Sequence, residues 1–191
     1  MIVSMFMDKA TFEQKQKEKK FSLSYVKWSK EENKYINLEE GEKEGLEVIL
    51  LNNSLKRKEI LEFVKSSIYQ WKVPAIIEIE DLTEDSFKDY FIFIYGRNLD
   101  SNNKNKELFS LSILEKKDKD TGYLHLNVAY PKSQRLREER TDGIIGAVGS
   151  NTRHAMISYA FNYLKYTKVT TDVISPKALL SLQELGFVTG L

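Results

Sequence analysis

The chain has 191 residues, of which 41% are hydrophobic, 12% aromatic and 30% charged; this suits one domain with embellishments and a core that needs no staples, and excludes a disordered tail. Its 29 Lys and Arg nearly cancel 28 Asp and Glu, for a formal net charge of +1, so no global field exists to hold a nucleic acid or an anionic membrane. Cysteine is absent and the two histidines, His125 and His154, lie far apart, which excludes disulfide scaffolds, thiolate chemistry and a multi-histidine zinc centre within one chain.

Met1 to Met7 is largely apolar and runs into Asp8 and Lys9. A secretory signal needs a basic start and a small-residue cleavage site. Here nothing basic precedes the run and a Lys/Gln/Glu tract follows it, so it reads as a first strand or docking segment. No other stretch approaches the ~20 apolar residues of a membrane helix, and the expectation is a cytoplasmic protein. Residues 8–20 are mostly polar and suit a solvated helix or an arm. Residues 1–20 are thus expected to form an N-terminal strand or arm, and 21–191 a single domain.

Phe21 to Trp28 alternates apolar and polar residues, the period of a half-buried strand. Glu31 to Gly45 is acidic and turn-rich and predicts a loop or weak hairpin, and Glu47 to Leu51 a short strand. From Leu55 to Trp71 the apolar residues Ile60, Leu61, Val64, Ile68 and Trp71 recur at helical steps, with Ser54 as N-cap and Pro74 as stop. Ala75 to Ile79 resumes a strand-like pattern. Tyr90 to Tyr95 is an unbroken aromatic and β-branched run, the mark of a strand covered on both faces. An Asn- and Lys-rich loop from Gly96 to Lys106 follows. Alternation around Phe109, Leu111 and Ile113, turn residues Asp118 to Gly122, and the run Tyr123 to Tyr130 predict a hairpin.

Pro131 to Thr141 is a highly charged connector. Lys132 to Arg140 reads as a solvated face, as a lid over a phosphate, or as a patch for an acidic partner. Gly143, Gly146 and Gly149 follow at three-residue spacing, and Thr152 to Tyr166 then predicts a helix. A glycine-rich turn between a strand and a helix is where backbone N–H groups and the helix dipole favour a phosphate. Ser150, Asn151 and Thr152 could cap that helix or donate to a ligand, and Arg153 could offset its charge; a tight packing turn is the competing reading. Val169 to Ile174 predicts a strand, Ser175 and Pro176 a helix start, and Lys177 to Leu185 a short helix. Gly186 stops it, and Phe187 and Val188 begin a last extended piece.

From Ser86 to Val188 this order of elements resembles the GNAT superfamily of N-acetyltransferases, which bind acetyl-CoA beside a splayed pair of central strands. Val128, Ala129, Tyr130 and Pro131 stand where the family's fourth strand ends before its pyrophosphate loop. Ser175, Ala178, Leu182, Gly186 and Phe187 fall in register with the family's Asn-x-x-Ala-x-x-x-Tyr-x-x-x-Gly-Phe ending. The resemblance implies an α+β fold with a mixed, mainly antiparallel central sheet flanked by helices, its C-terminal strands abbreviated. It implies acetyl-CoA as co-substrate, held by Val128, Tyr130, Arg140, Gly143, Gly146, Gly149, Ser150, Asn151 and Ser175.

Departures accompany the match. Arg140 to Gly146 carries one residue more than the family's Gln/Arg-x-x-Gly-x-Gly/Ala motif, or else the turn is Gly146 to Ser150. Leu182 replaces the tyrosine used as general acid, Ser175 replaces the asparagine, and the family's last two strands are missing or come from elsewhere in the chain.

The implied chemistry is attack by an amine of unknown identity on the thioester. Main-chain N–H groups near Val128 and Tyr130 would polarise the carbonyl. His125 is the titratable candidate on that strand, with a cross-strand structural histidine as the alternative. Tyr130, with Tyr123 and Tyr159, could replace the missing acid; His154 is expected to be exposed or packed. Two other function classes stay open: a catalytically inactive GNAT-like binding module, and an accessory factor binding protein or nucleic acid through Lys15 to Lys20 and Lys132 to Arg140. Near-neutral charge argues against nucleic acid, and strand exchange in a homodimer is a further expectation.

Overall fold

A computed structural model describes residues 2–18, 26–29, 34–37, 46–53, 55–71, 82–98, 106–129, 148–174 and 176–190. The N-terminal apolar run forms strand β1 (Val3–Asp8), and Asp8 ends it by capping helix α1 (Lys9–Lys17). Its carboxylate accepts from the Thr11 N–H at 2.7 Å, which satisfies one of the helix's orphan donors; the same bond holds the Asp8 carboxyl below its ordinary pKa. The polar tract is a helix, as the composition suggests, but it is not solvated all round: Phe12 is fully buried and stacks on Phe161 with ring centroids 4.8 Å apart.

Strands β2 (Val26–Ser29), β3 (Lys34–Asn37) and β4 (Leu46–Leu50) follow, antiparallel in sequence order. β3 lies inside the acidic tract expected to be a loop or weak hairpin, and it pairs on both sides. Phe21 to Tyr25 and the predicted strand Ala75 to Ile79 lie outside the described residues, as do Ser54 and Pro74. Helix α2 (Arg57–Trp71) bears out the helical periodicity, burying Ile60 and Val64.

The central strands are β5 (Tyr90–Asn98), β6 (Lys106–Lys116) and β7 (Thr121–Ala129), an antiparallel meander. Asn52, just past β4, extends the β4–β5 ladder with its side chain. Its amide donates to the Tyr90 carbonyl at 2.6 Å and its Oδ1 accepts from the Ile92 N–H at 2.8 Å.

Helix α3 (Val148–Ser158) starts four residues before the expected Thr152, then widens into a π-turn at Tyr159–Tyr163. Lys165, with φ of 61°, closes it in the left-handed region. Strand β8 (Lys168–Val173), helix α4 (Pro176–Leu185) and the two-residue strand β9 (Val188–Thr189) complete the chain. Gly186 ends α4 with φ of +108°, a conformation that costs a side-chain-bearing residue about 1–2 kcal/mol.

Among the described residues the nine strands form one sheet, ordered β2-β3-β4-β5-β6-β7-β8-β1-β9. Every neighbouring pair is antiparallel except β7 and β8, which run parallel. The architecture is α+β with a mixed, mainly antiparallel sheet flanked by helices. The N-terminal strand β1 lies between β8 and β9, pairing with all six residues of β8 and two of β9. Among the described residues no helix is long and apolar enough to cross a membrane.

The two sheet faces are covered differently. One carries the main core, with Met5, Met7, Phe93, Leu114, Leu124 and Val169 packed under α1, α3 and α4. The other carries a smaller core of Ile92, Ile94, Leu111 and Ile113 under α2 and the 3₁₀ turn Glu84–Lys88. Burial removes these apolar surfaces from water, which drives the layers together.

Candidate functional site at the parting of two parallel strands

The site begins with a register shift. Leu114 pairs with Leu124 while Ile113 pairs with Leu126, so His125 has no cross-strand partner on β6. His125 is the extra residue of a β-bulge, a device that bends a strand and increases its twist. β7 and β8 pair from Thr121/Lys168 to Leu124/Thr171 and no further among the described residues. β7 continues to Ala129 with no further β8 partner among the described residues. The bulge thus sits where the two parallel strands part.

One transverse row of residues crosses this region on the face opposite α1 and α3. Tyr90, Glu115, Tyr123, Thr170, Phe6 and Val188 are successive cross-strand partners from β5 to β9, and cross-strand partners share a face. His125 joins that face: its ring lies edge-on to Tyr123, with centroids 5.2 Å apart, and to Tyr90 at 5.6 Å. Its Nε2 is 3.4 Å from a Glu115 carboxylate oxygen, and its side chain is 15% exposed.

Burial, the largest influence on His125, lowers its pKa below the ordinary 6.5; Glu115 and the backbone pull it back up, and Lys117 lowers it further. The proximity alone would suggest an ion pair, whereas the net downward shift makes the imidazole neutral at pH 7. The burial argument decides, because a desolvated cation facing one carboxylate at this distance loses more than it gains. A proton on Nε2 then points to Glu115. Nδ1 is left buried and, among the described residues, without a hydrogen-bond partner.

Asp172 anchors the neighbouring part of the face. Its two oxygens accept from Ser4 Oγ at 2.7 Å and from Tyr123 Oη at 2.8 Å. Burial and the bond to Asp172 together push the Tyr123 phenol far above its ordinary pKa, so it stays protonated. Tyr159, on the other face, is likewise pushed far up by burial. Leu182, at the position where the resemblance expects a general-acid tyrosine, is buried in the main core.

On the helix-covered side of the sheet, Arg153 reaches from α3 to α4 and donates from Nη1 to Ser181 Oγ at 2.9 Å. Burial lowers the guanidinium pKa, yet no carboxylate pairs with it among the described residues. Buried charges are ordinarily paired.

The remaining sequence-derived candidates fall in three groups. Val128 lies on β7 beyond the parting, where its backbone pairs with Leu111. Gly149, Ser150 and Asn151 lie inside the first turns of α3 rather than in a turn ahead of it. Tyr130, Arg140, Gly143, Gly146 and Ser175 lie outside the described residues, as does the charged connector. The structure brings His125 together with Tyr123, a candidate acid of the sequence reading, and with Glu115 and Tyr90, which that reading did not single out, as it did not single out Asp172 behind Tyr123. The alternation of β6 and β7 puts Glu115 and Tyr123 on one face each, but only the register joins them.

No family model matches the chain, and no curated protein matches it. Among solved structures it is similar to a functionally unknown conserved protein from Staphylococcus epidermidis ATCC 12228, at 9% identity and a TM-score of 0.46. That match covers 100% of this chain and 59% of the other.

Proposed function

We propose that the chain is an acyl-CoA-dependent N-acyltransferase, with acetyl-CoA as donor and an amine as acceptor. The observation that carries this reading is the parting of the parallel strands β7 and β8 at the His125 bulge. It leaves a stretch of β7 backbone free of a partner on the β8 side among the described residues. Backbone N–H groups along such a stretch can hold a thioester carbonyl and stabilise the oxyanion that forms on it. Arg153, a largely buried cation with only a hydroxyl partner among the described residues, suits the negative charge of a CoA phosphate. Gly149, in the first turn of the helix that follows, suits close approach of the same group.

In the reaction, the amine nitrogen bonds to the thioester carbon, the C–S bond breaks, and CoA leaves as thiolate. The amine's proton must go to a base. His125 Nδ1 is buried, so in this reading the proton leaves by way of the Glu115 carboxylate, which His125 Nε2 faces. Tyr123 is kept protonated by Asp172 and holds its proton more firmly than a thiol does, so the thiolate takes its proton from water. The second reading is a GNAT-like binding module without catalysis. Leu182 favours it, because the core side chain there has no proton to give.

Calorimetric titration of the full chain with acetyl-CoA tests the proposal. Micromolar binding that Arg153→Ala weakens and Gly149→Glu abolishes is the expected result. A folded chain that does not bind acetyl-CoA would exclude the donor and with it the acyltransferase. Binding without transfer to any of a panel of amines would favour the binding module.

A further inference from the structure

α2 covers β5 and β6 on one side of the sheet, and the same side over β7, β8 and β1 carries Tyr123, Thr170, Asp172 and Ser4 alongside Phe6. Within that area one cation is already seated. Lys117, in the bend between β6 and β7, places Nζ 4.8 Å from the centroid of the Tyr123 ring and 3.5 Å from a Glu115 carboxylate oxygen. An aromatic face beside a carboxylate is the arrangement that attracts an alkylammonium, through the ring quadrupole and the charge together.

The cradle is less exposed than its occupant. The Glu115 side chain is 20% exposed, whereas that of Lys117 is 48% exposed. The Tyr123 hydroxyl is held by Asp172, itself held by Ser4, so the ring face stays presented whether or not a cation lies over it. Such preorganisation lowers the cost of binding. His125, neutral through burial, touches Glu115 without cancelling its charge. The bend is held by the backbone, since the N–H groups of Lys117 and Asp118 donate to the Thr121 carbonyl at 3.0 and 3.4 Å. The Lys117 side chain can therefore rotate out into solvent without moving the chain.

We propose that Glu115 and Tyr123 form a binding site for the ammonium end of a small aliphatic amine, and that Lys117 is its built-in competitor. These contacts exist whether or not the chain transfers acyl groups. If it does, the amine bound here is the acceptor and Lys117 sets a threshold concentration for it.

The test uses the full chain with 1,5-diaminopentane as probe, followed by the NMR shifts of Glu115, Tyr123 and His125. Lys117→Ala is expected to bind the probe roughly tenfold more tightly than the unaltered chain, the factor a cation held over an aromatic ring can supply. Adding Glu115→Gln to Lys117→Ala should remove the gain, and 1-pentanol should not shift the same resonances. Equal affinity with and without Lys117, or affinity that survives Glu115→Gln, would overturn the proposal. Because Lys117 and Glu115 lie at the surface end of the face, neither variant removes core packing. Acetyl-CoA binding, measured on the same samples, separates failure of this site from failure of the acyltransferase reading.

Discussion

Two neighbouring rows of the sheet, one residue apart on every strand, have opposite character. Phe91, Leu114, Leu124, Thr171 and Met5 face α1, α3 and α4, and all but Phe91 are buried. Tyr90, Glu115, Tyr123, Thr170 and Phe6 face the other way, and none of them is buried. The backbone is common to both rows, so the pleat alone divides stability from chemistry. Apolar side chains under the helices hold the sheet together. The polar row can then carry a carboxylate, a neutral imidazole and a fixed phenol outside the main core, with Tyr90 alone packed against the smaller one.

The sharpest way to break this contrast is to delete packing on one face and compare it with deletion on the other. Phe12→Ala removes a fully buried ring stacked on Phe161 and is expected to cost about 3–5 kcal/mol. Thr170→Ala, in the polar row, is expected to cost less than ~1 kcal/mol. Chemical denaturation of the two variants measures both. A Thr170 variant as damaged as the Phe12 variant would contradict the division of labour.

A smaller effect is expected at Gly186, where α4 stops and the chain turns back to pair with β1. Alanine there meets both the positive φ and side-chain atoms of Thr11 and Lys15 at 3.1–3.3 Å, so Gly186→Ala should cost about 1–2 kcal/mol. Thermal unfolding reads this as a lowered midpoint. An unchanged midpoint would mean that the α4–β9 turn adds little to the helix-covered face.

The smallest effect sharpens the account of the polar row. Because the folded pKa of His125 lies below 6.5, the unfolded chain takes up the proton first as pH falls. The stability tied to its neutral form is complete above pH 6.5 and declines from there toward the folded pKa. His125→Phe should remove this part of the pH dependence and leave the rest. Unfolding free energies of the two chains between pH 7.5 and about 5 give the difference; parallel curves would show that His125 titrates normally.

Local chemistry made some of this legible in the sequence and left the rest hidden. The helical recurrence of Ile60, Val64 and their neighbours marks α2, and the apolar run Tyr90 to Tyr95 marks β5, because each pattern is set by its own period. Phe12 did not reveal its burial, since one aromatic in a charged tract has no period to belong to. β3 was obscured because its pairing with β2 and β4 outweighs the turn propensity of the residues around it. His125 was recognisable as a titratable group on a strand. The bulge was not, because an extra residue exists only relative to the strand opposite. For the same reason the clustering of Glu115, Tyr90 and Asp172 around it depends on register across three strand pairs.

The place of β1 has a consequence for how the protein is made. Ser4 bonds to Asp172 across 168 residues of sequence, and every residue of β1 pairs with β8. During synthesis the first strand leaves the ribosome with neither of its neighbours in existence. At about 5–20 residues per second it waits on the order of ten to thirty seconds for β8 to emerge. Until then its hydrogen-bonding edges and Met5 and Met7 are open to other chains, and this part of the sheet closes only once β8 has been made.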